Sequence, residues 1–103
     1  CGGITGMRHI AALAQASGIE VNPHVWGSAV AQAASLQVIA ALPDAHHALF
    51  ARQPILEYDQ SAHPFRNELT TAPMNMENGL VAISGAPGLG IEVRQDTIEA
   101  YRI

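Results

Sequence analysis

Residues 19–28 of this 103-residue chain read IEVNPHVWGS, and the interpretation of the rest of the sequence depends on them. Alanine-rich helical patterns lie on both sides of this stretch, and Gly18 separates it from the first of them. Residues 19–22 are typical of a short strand, which should end at Pro23 because proline cannot donate to a strand ladder. His24 then follows the carboxyl end of the strand, where α/β folds place their chemistry.

A second short apolar run, residues 55–58, reads ILEY and is also typical of a buried strand. The helical pattern over residues 28–42 lies between the two predicted strands, so the sequence predicts a βαβ unit with a right-handed crossover. In that unit the carboxyl ends of both strands lie at the same edge of the sheet. We therefore expect His24 and Glu57 to face one site.

The two long helices are predicted from their apolar spacing. The first covers residues 6–17, with Thr5 as its N-cap and Gly18 just beyond its end. Its apolar stripe consists of positions three and four residues apart, namely Met7, Ile10, Ala11 and Ala14. The second helix, residues 28–42, is so rich in alanine and branched apolar residues that we expect it to be buried on more than one side.

Residues 60–103 follow a different pattern. Residues 60–66 are a polar loop, in which His63 and Arg66 are expected to be solvated. The runs 68–72 and 80–84 lie on either side of Asn78-Gly79, which predicts a long β-hairpin. A glycine-rich turn over residues 85–90, a short strand over 91–93 and a closing helix over 96–101 complete the chain.

Composition excludes several classes of protein. The net charge of −4 argues against a nucleic-acid surface, and no apolar run is long enough to span a membrane. All five basic residues are arginines, which excludes a lysine base or Schiff base within this chain. Cys1 has no partner for an internal disulfide, and this fits a reducing compartment, so we expect a cytoplasmic protein.

The sequence contains four motifs: CGGITG at residues 1–6, PHVWGS at 23–28, LEYD at 56–59 and PGLGIEV at 87–93. Together they resemble the C-terminal part of enolase-superfamily enzymes, in the mandelate racemase and muconate lactonizing enzyme branch. Their order and spacing are compatible with that family over nearly the whole chain. Within the branch, the chain is most similar to acid-sugar enzymes such as galactarolactone cycloisomerase and sugar-acid dehydratases.

The resemblance implies an α/β fold, the last part of a modified TIM-like (β/α)7β barrel. Residues 1–59 would be the last βα units of the barrel. Residues 60–103 would return to a capping domain as a β-hairpin and a short helix. Cys1 begins what resembles the end of a strand turning into a helix, so we expect this chain to be a piece of a longer protein. For that full-length protein we expect a homo-oligomer.

The resemblance also implies the chemistry. In this family Mg²⁺ holds a substrate carboxylate while a base removes the proton α to it. His24 matches the base, and Glu57 matches an acid that hydrogen-bonds the substrate carboxylate. No metal ligand is assigned in this chain, because the three carboxylate ligands and the aspartate that pairs with the histidine are expected before residue 1.

The expected substrate is a sugar-derived acid. The favoured reaction is lactone cycloisomerisation, and dehydration and racemisation are the alternatives within the family. An alternative of another class is a non-catalytic structural fragment, which would be inactive as it stands.

Each candidate residue also has a structural interpretation. His24 is matched to proton transfer near pH 7, but it is also compatible with a strand-end histidine bonded to backbone. Glu57 is either a substrate-facing acid or a half-buried strand acid. Trp26 either packs over the substrate or fills the barrel rim. Gly27 and the following serine either hold an anion or simply start a helix. The adjacent pair His46-His47 is not a predicted metal site, because neighbouring histidines point in different directions.

Overall fold

A computed structural model describes residues 1–42 and 53–103 of the chain. The pair His46-His47 lies outside the described residues. The elements in chain order are α1 (Gly3–Ala16), α2 (Ala29–Ala40), α3 (Pro64–Asn67), β1 (Met76–Glu77), β2 (Leu80–Val81) and α4 (Gln95–Ala100).

Helix α1 starts earlier than the sequence predicted and ends where expected. Its N-cap is Gly2, so the prediction that Thr5 caps the helix was wrong: Thr5 lies inside the first turn. At the other end, Gly18 adopts a positive φ of 68°. Its N–H donates to the carbonyl of Gln15 at 3.0 Å, and the next N–H donates to Ala14 at 2.8 Å. This pair of bonds is a Schellman motif, in which glycine at C′ satisfies the last carbonyls of the helix.

The predicted apolar stripe of α1 is buried only in part. Ala11 is buried and Met7 is half-buried where α1 packs against α2. Ile10 of the same stripe is 46% exposed, and Leu13 is 72% exposed. Helix α1 therefore presents a second apolar face that the described residues leave uncovered.

Helix α2 is the best-buried element of the described structure, as the sequence predicted. Ser28 is its N-cap, and the serine Oγ accepts a hydrogen bond from the N–H of Ala31 at 3.4 Å. Of its twelve residues only Ala31 and Ala40 are exposed, because α1 packs on one side of the helix and α3 on another. Even the polar Gln32 is 2% exposed.

The two predicted parallel strands, residues 19–22 and 55–58, are not strands in the described structure. They nevertheless lie side by side. The side-chain Oδ1 of Asn22 accepts the N–H of Ile55 at 2.9 Å, and His24 contacts Glu57. Both contacts join residues 33 positions apart, so the two segments run parallel in one register. The prediction of a backbone ladder between these two segments was wrong. The N–H of Ile55 pairs with an asparagine side chain instead of a backbone carbonyl.

The hairpin was predicted at the correct turn but with a wrong first strand. Asn78 has a φ of 52° and Gly79 a φ of 77°. Two successive positive φ values are typical of a two-residue type I′ turn. Such a turn pairs the residues directly beside it, so Glu77 pairs with Leu80 and Met76 with Val81. The run 68–72, expected in the hairpin, lies elsewhere.

Residues 68–72 pair instead with the predicted strand at 91–93. The N–H of Arg94 donates to Leu69 at 2.8 Å, and the N–H of Thr71 donates to Glu92 at 3.1 Å, around an antiparallel bridge. Helix α4 is fixed to the same run by the buried Thr97, whose hydroxyl donates to the carbonyl of Glu68 at 2.9 Å.

The turn at residues 85–90 was correctly predicted. The N–H of Gly90 donates to the carbonyl of Pro87 at 3.3 Å. Gly90 has a φ of 72°, and a Cβ built there would lie 2.5 Å from the Cβ of Ser84. Only glycine therefore fits this position without a shift of the neighbouring chain.

A buried arginine organises the loop that the sequence predicted to be solvated. Arg66, in α3, is 6% exposed, so its predicted exposure was wrong. Its guanidinium forms an ion pair with Asp59 and donates to the carbonyl of Ser61 at 2.6 Å. Asp59 in turn accepts the Ser61 N–H at 2.8 Å and the Ser61 hydroxyl at 2.9 Å. We call these three residues the Asp59–Arg66 clasp.

The structure as a whole is loosely packed for its length. The radius of gyration is 15.0 Å. A compact domain of about 100 residues has a radius of gyration of about 13 Å. Large apolar side chains such as Ile19 (60% exposed) and Ile55 (66% exposed) face outward. None of the helices in the described ranges combines the length and the apolar character needed to cross a membrane.

We expect the isolated 103-residue chain to be marginally stable, because so much apolar surface is left uncovered. Thermal unfolding followed by circular dichroism should show a broad transition at low temperature. A sharp, cooperative transition of the monomer above about 60 °C would contradict this, because that is the upper range of ordinary mesophilic domains.

The Asp59–Arg66 clasp should make the free energy of unfolding depend on pH in the acidic range. Hydrogen bonds from Ser61 and the charge of Arg66 hold the pKa of Asp59 below its ordinary 3.8. The unfolded chain then binds a proton more readily than the folded one. The contribution of Asp59 is therefore complete above the ordinary pKa of 3.8 and is lost as pH falls through the lowered value. Urea unfolding of wild type and Asp59→Asn should differ at neutral pH and converge as the pH falls below the lowered pKa of Asp59. A difference independent of pH would contradict this role.

Candidate functional site

The candidate site lies on the exposed side of the two parallel segments. From Asn22 to Trp26, exposed and buried residues alternate, with Pro23 and Val25 buried. The partner segment alternates in the same way, with Glu57 exposed and its two neighbours half-buried. Because successive side chains of an extended chain point to opposite sides, the exposed residues of both segments share one face.

His24 and Glu57 form the central contact of this face. The imidazole Nδ1 of His24 lies 2.5 Å from Oε2 of Glu57, and the side chains are 72% and 63% exposed. A carboxylate oxygen can only accept a hydrogen bond, so Nδ1 carries the hydrogen. In the neutral imidazole, the lone pair is then on Nε2. A histidine oriented in this way can accept a proton from a bound molecule.

Asn22, two residues before His24, also joins the two segments, because its side chain accepts a hydrogen bond from the N–H of Ile55. Sequence analysis did not single out Asn22. One feature of the sequence could have indicated Asn22: it lies two residues before a candidate base. A regular strand pairs through its backbone and has no need of a side-chain acceptor at that position. The amide oxygen of Asn22 fixes the register that brings His24 opposite Glu57.

The other predicted site residues, Trp26 and Gly27, follow His24 closely in the sequence. Trp26 is 72% exposed and follows His24 by two positions, which puts it on the same face. Gly27 is half-buried, and a Cβ there would meet only the Cβ of Ala31, at an ordinary 3.8 Å. Ser28 is an N-cap, as described above.

Within residues 1–42 and 53–103, there is no group of three or more histidine, cysteine, aspartate or glutamate side chains that could hold a metal ion. Asp59, the carboxylate nearest in sequence to Glu57, is bound by Arg66 and Ser61. The described residues therefore supply a proton acceptor and its carboxylate partner, but they do not fit a magnesium site on their own.

Sequence comparison relates the chain to acid-sugar enzymes. It is 39% identical over 103 residues to D-galactarolactone cycloisomerase of Agrobacterium fabrum, covering 100% of this chain and 27% of that enzyme. It is 33% identical over 98 residues to D-galactonate dehydratase of Variovorax paradoxus, covering 94% of this chain and 25% of that enzyme. The chain thus spans about a quarter of the length of these curated relatives.

Structural comparison agrees. The crystal structure of 3,6-anhydro-D-galactonate cycloisomerase from Zobellia galactanivorans matches with a TM-score of 0.81 and 33% identity, covering 97% of this chain and 26% of that one. The family described as enolase C-terminal domain-like matches residues 1–97. The chain therefore belongs to the enolase C-terminal domain-like family, within the enolase superfamily.

Proposed function

We propose that this chain is the C-terminal segment of an enzyme that removes the proton α to the carboxylate of a sugar-derived acid. The observation that carries the proposal is the 2.5 Å contact between His24 and Glu57 on the exposed face of the two parallel segments. Residues 1–59 would supply the last βα units of a barrel, and residues 60–103 would return to a capping domain. The exposed face would then line the interior of that barrel.

In this proposal His24 is the catalytic base. Within this chain Glu57 contacts Nδ1, and in the whole enzyme the resemblance implies that an aspartate before residue 1 pairs with the imidazole. With a carboxylate at Nδ1, Nε2 is left to take the α-proton of the substrate. The imidazole is 72% exposed in this segment, so no side chain of the described residues covers it.

Glu57, Trp26 and Gly27 would bind the substrate. One oxygen of Glu57 is held by His24, and the other is available to a ligand because the side chain is 63% exposed. Toward a sugar hydroxyl Glu57 would accept a hydrogen bond, and toward a substrate carboxylate it would have to present a proton. The exposed ring of Trp26 offers an apolar surface against the carbon skeleton. Gly27 leaves the start of α2 free of a side chain.

Magnesium would supply the positive charge that holds the substrate carboxylate and stabilises the enediolate. We expect its ligands in a part of the enzyme that precedes this chain, as the resemblance implies.

We favour ring opening of a sugar-acid lactone, because D-galactarolactone cycloisomerase of Agrobacterium fabrum is 39% identical to this chain along its whole length. His24 takes the α-proton, the Cα–Cβ double bond forms, and the Cβ–O bond breaks with its electrons leaving on the lactone carboxylate. A proton returned to the resulting enol gives the keto product. The D-galactonate dehydratase of Variovorax paradoxus supports the second candidate, elimination of water from an acyclic sugar acid.

Substitution of the base tests the core of the proposal. In the full-length enzyme, His24→Asn should preserve the fold and lower turnover by about 100- to 10,000-fold, because asparagine cannot take a proton. Exchange of the substrate α-proton with D₂O, followed by proton NMR, measures this directly. His9→Asn is the matched control, since His9 is an exposed histidine of α1. An unchanged exchange rate in His24→Asn would remove His24 from the mechanism.

The type of reaction is decided by the product. We expect the full-length enzyme, incubated with sugar-acid lactones in D₂O, to form a ring-opened product with deuterium at one carbon. Inverted starting material carrying α-deuterium, with no ring-opened product, would contradict this and indicate a racemase. A 2-keto-3-deoxy product from an acyclic sugar acid, with lactones left unchanged, would indicate a dehydratase.

A further inference from the structure

A cavity of about 330 Å³ lies between α2 and the Asp59–Arg66 clasp. Gln32 of α2 and Arg66 of α3 both line it, and they are almost fully buried, at 2% and 6% exposure. Neither His24 nor Glu57 lines this cavity, so it is distinct from the candidate site described above. Most of the other side chains in its lining are also polar, namely Tyr58, Asp59, Gln60, Ser61, Asn67 and Asn75.

Two buried nitrogens of these lining residues have no hydrogen-bond partner among the described residues: Nε2 of Gln32 and Nε of Arg66. The two terminal nitrogens of Arg66 are occupied, because one donates to the carbonyl of Ser61 at 2.6 Å and the other pairs with Asp59. A buried N–H without an acceptor has lost its hydration with nothing in return, and folded proteins nearly always pair such groups. The two donors therefore require an acceptor that the described residues do not supply.

Charge, polarity and size indicate what that acceptor is. The carboxylate of Asp59 offsets the guanidinium of Arg66, so the cavity has no surplus positive charge to attract an anion. Pockets for organic ligands are lined mainly by apolar and aromatic side chains, whereas this lining is mainly polar. Water suits such a lining, because its oxygen accepts from the two donors while its hydrogens bond to carboxylate or carbonyl oxygens. The space far exceeds the about 10–15 Å³ that one buried water needs.

We propose that this cavity is a binding site for ordered water, held between Nε2 of Gln32 and Nε of Arg66. The bound water links α2 to the Asp59–Arg66 clasp by hydrogen bonds, in addition to the direct packing of α3 against α2. Buried water of this kind is part of the folded structure and is costly to remove. The proposal is independent of the proposed function, because it involves no substrate and neither His24 nor Glu57.

The first test is a crystal structure of the full-length enzyme, at a resolution that shows ordered water and without polyols in the crystals. We expect a water oxygen about 2.7–3.2 Å from Nε2 of Gln32 and from Nε of Arg66, as one shared water or two in hydrogen-bond contact. The proposal is overturned if either nitrogen has no water beside it. It is also overturned if either nitrogen donates to a protein oxygen from another part of the enzyme.

The second test is thermal unfolding of the full-length enzyme and its Gln32→Met variant, which nearly preserves the length of the side chain and removes the amide. If water pairs with the amide, the variant loses those hydrogen bonds and weakens the binding of water at Arg66, so Tm should fall by about 1–3 °C. If the amide is truly unpaired, its replacement by an apolar group is neutral or stabilising. An unchanged or raised Tm would therefore contradict the proposal.

Gln37→Met is the matched control, because Gln37 is a half-buried glutamine of the same helix that does not line this cavity. Its Tm should stay close to that of wild type. An equal loss in Gln37→Met would count against the proposal, since the effect would then come from any such change in α2. If Gln32→Met does not fold, the crystal structure of the wild-type enzyme still decides the question, because it requires no variant.

Discussion

The arrangement of the site depends on one constraint: two segments 33 residues apart in sequence lie parallel in a single register. That register places the imidazole of His24 against the carboxylate of Glu57, and side-chain contacts maintain it where a strand ladder was expected. Asn22 contacts Ile55 two residues before the His24–Glu57 pair. These polar contacts join the two segments on the exposed face, whereas Pro23 and Val25 on the other side are buried.

The sequence predicted those features that depend on a residue and its immediate neighbours. Gly18 ends α1, Ser28 starts α2, and Asn78-Gly79 forms a tight turn, because each depends on local backbone geometry. The proximity of His24 and Glu57 also followed from the βαβ pattern. Their catalytic and binding roles stay predictions, as do those of Trp26 and Gly27.

The features that the sequence did not predict depend on partners far along the chain. The run 68–72 was assigned to the hairpin because it is extended, but a two-residue turn pairs only adjacent residues, and its partner is 91–93. Arg66 was expected in solvent because a lone arginine in a polar loop has no visible partner. Its burial depends on Asp59 and Ser61, which present a carboxylate and a carbonyl only after the chain has turned.

The close approach of Gly90 to Ser84 limits which residues can occupy this loop. A side chain at position 90 would collide with Ser84 at 2.5 Å. The nearest atom is the Cβ of Ser84, so only glycine at 84 would remove the collision, and the cost of a positive φ at position 90 would remain. The two positions are therefore constrained unequally. Position 84 can change while position 90 stays glycine, whereas position 90 cannot change before position 84 does. Among related chains, the glycine should persist through changes in the exposed residues between them, such as Ala86 and Pro87.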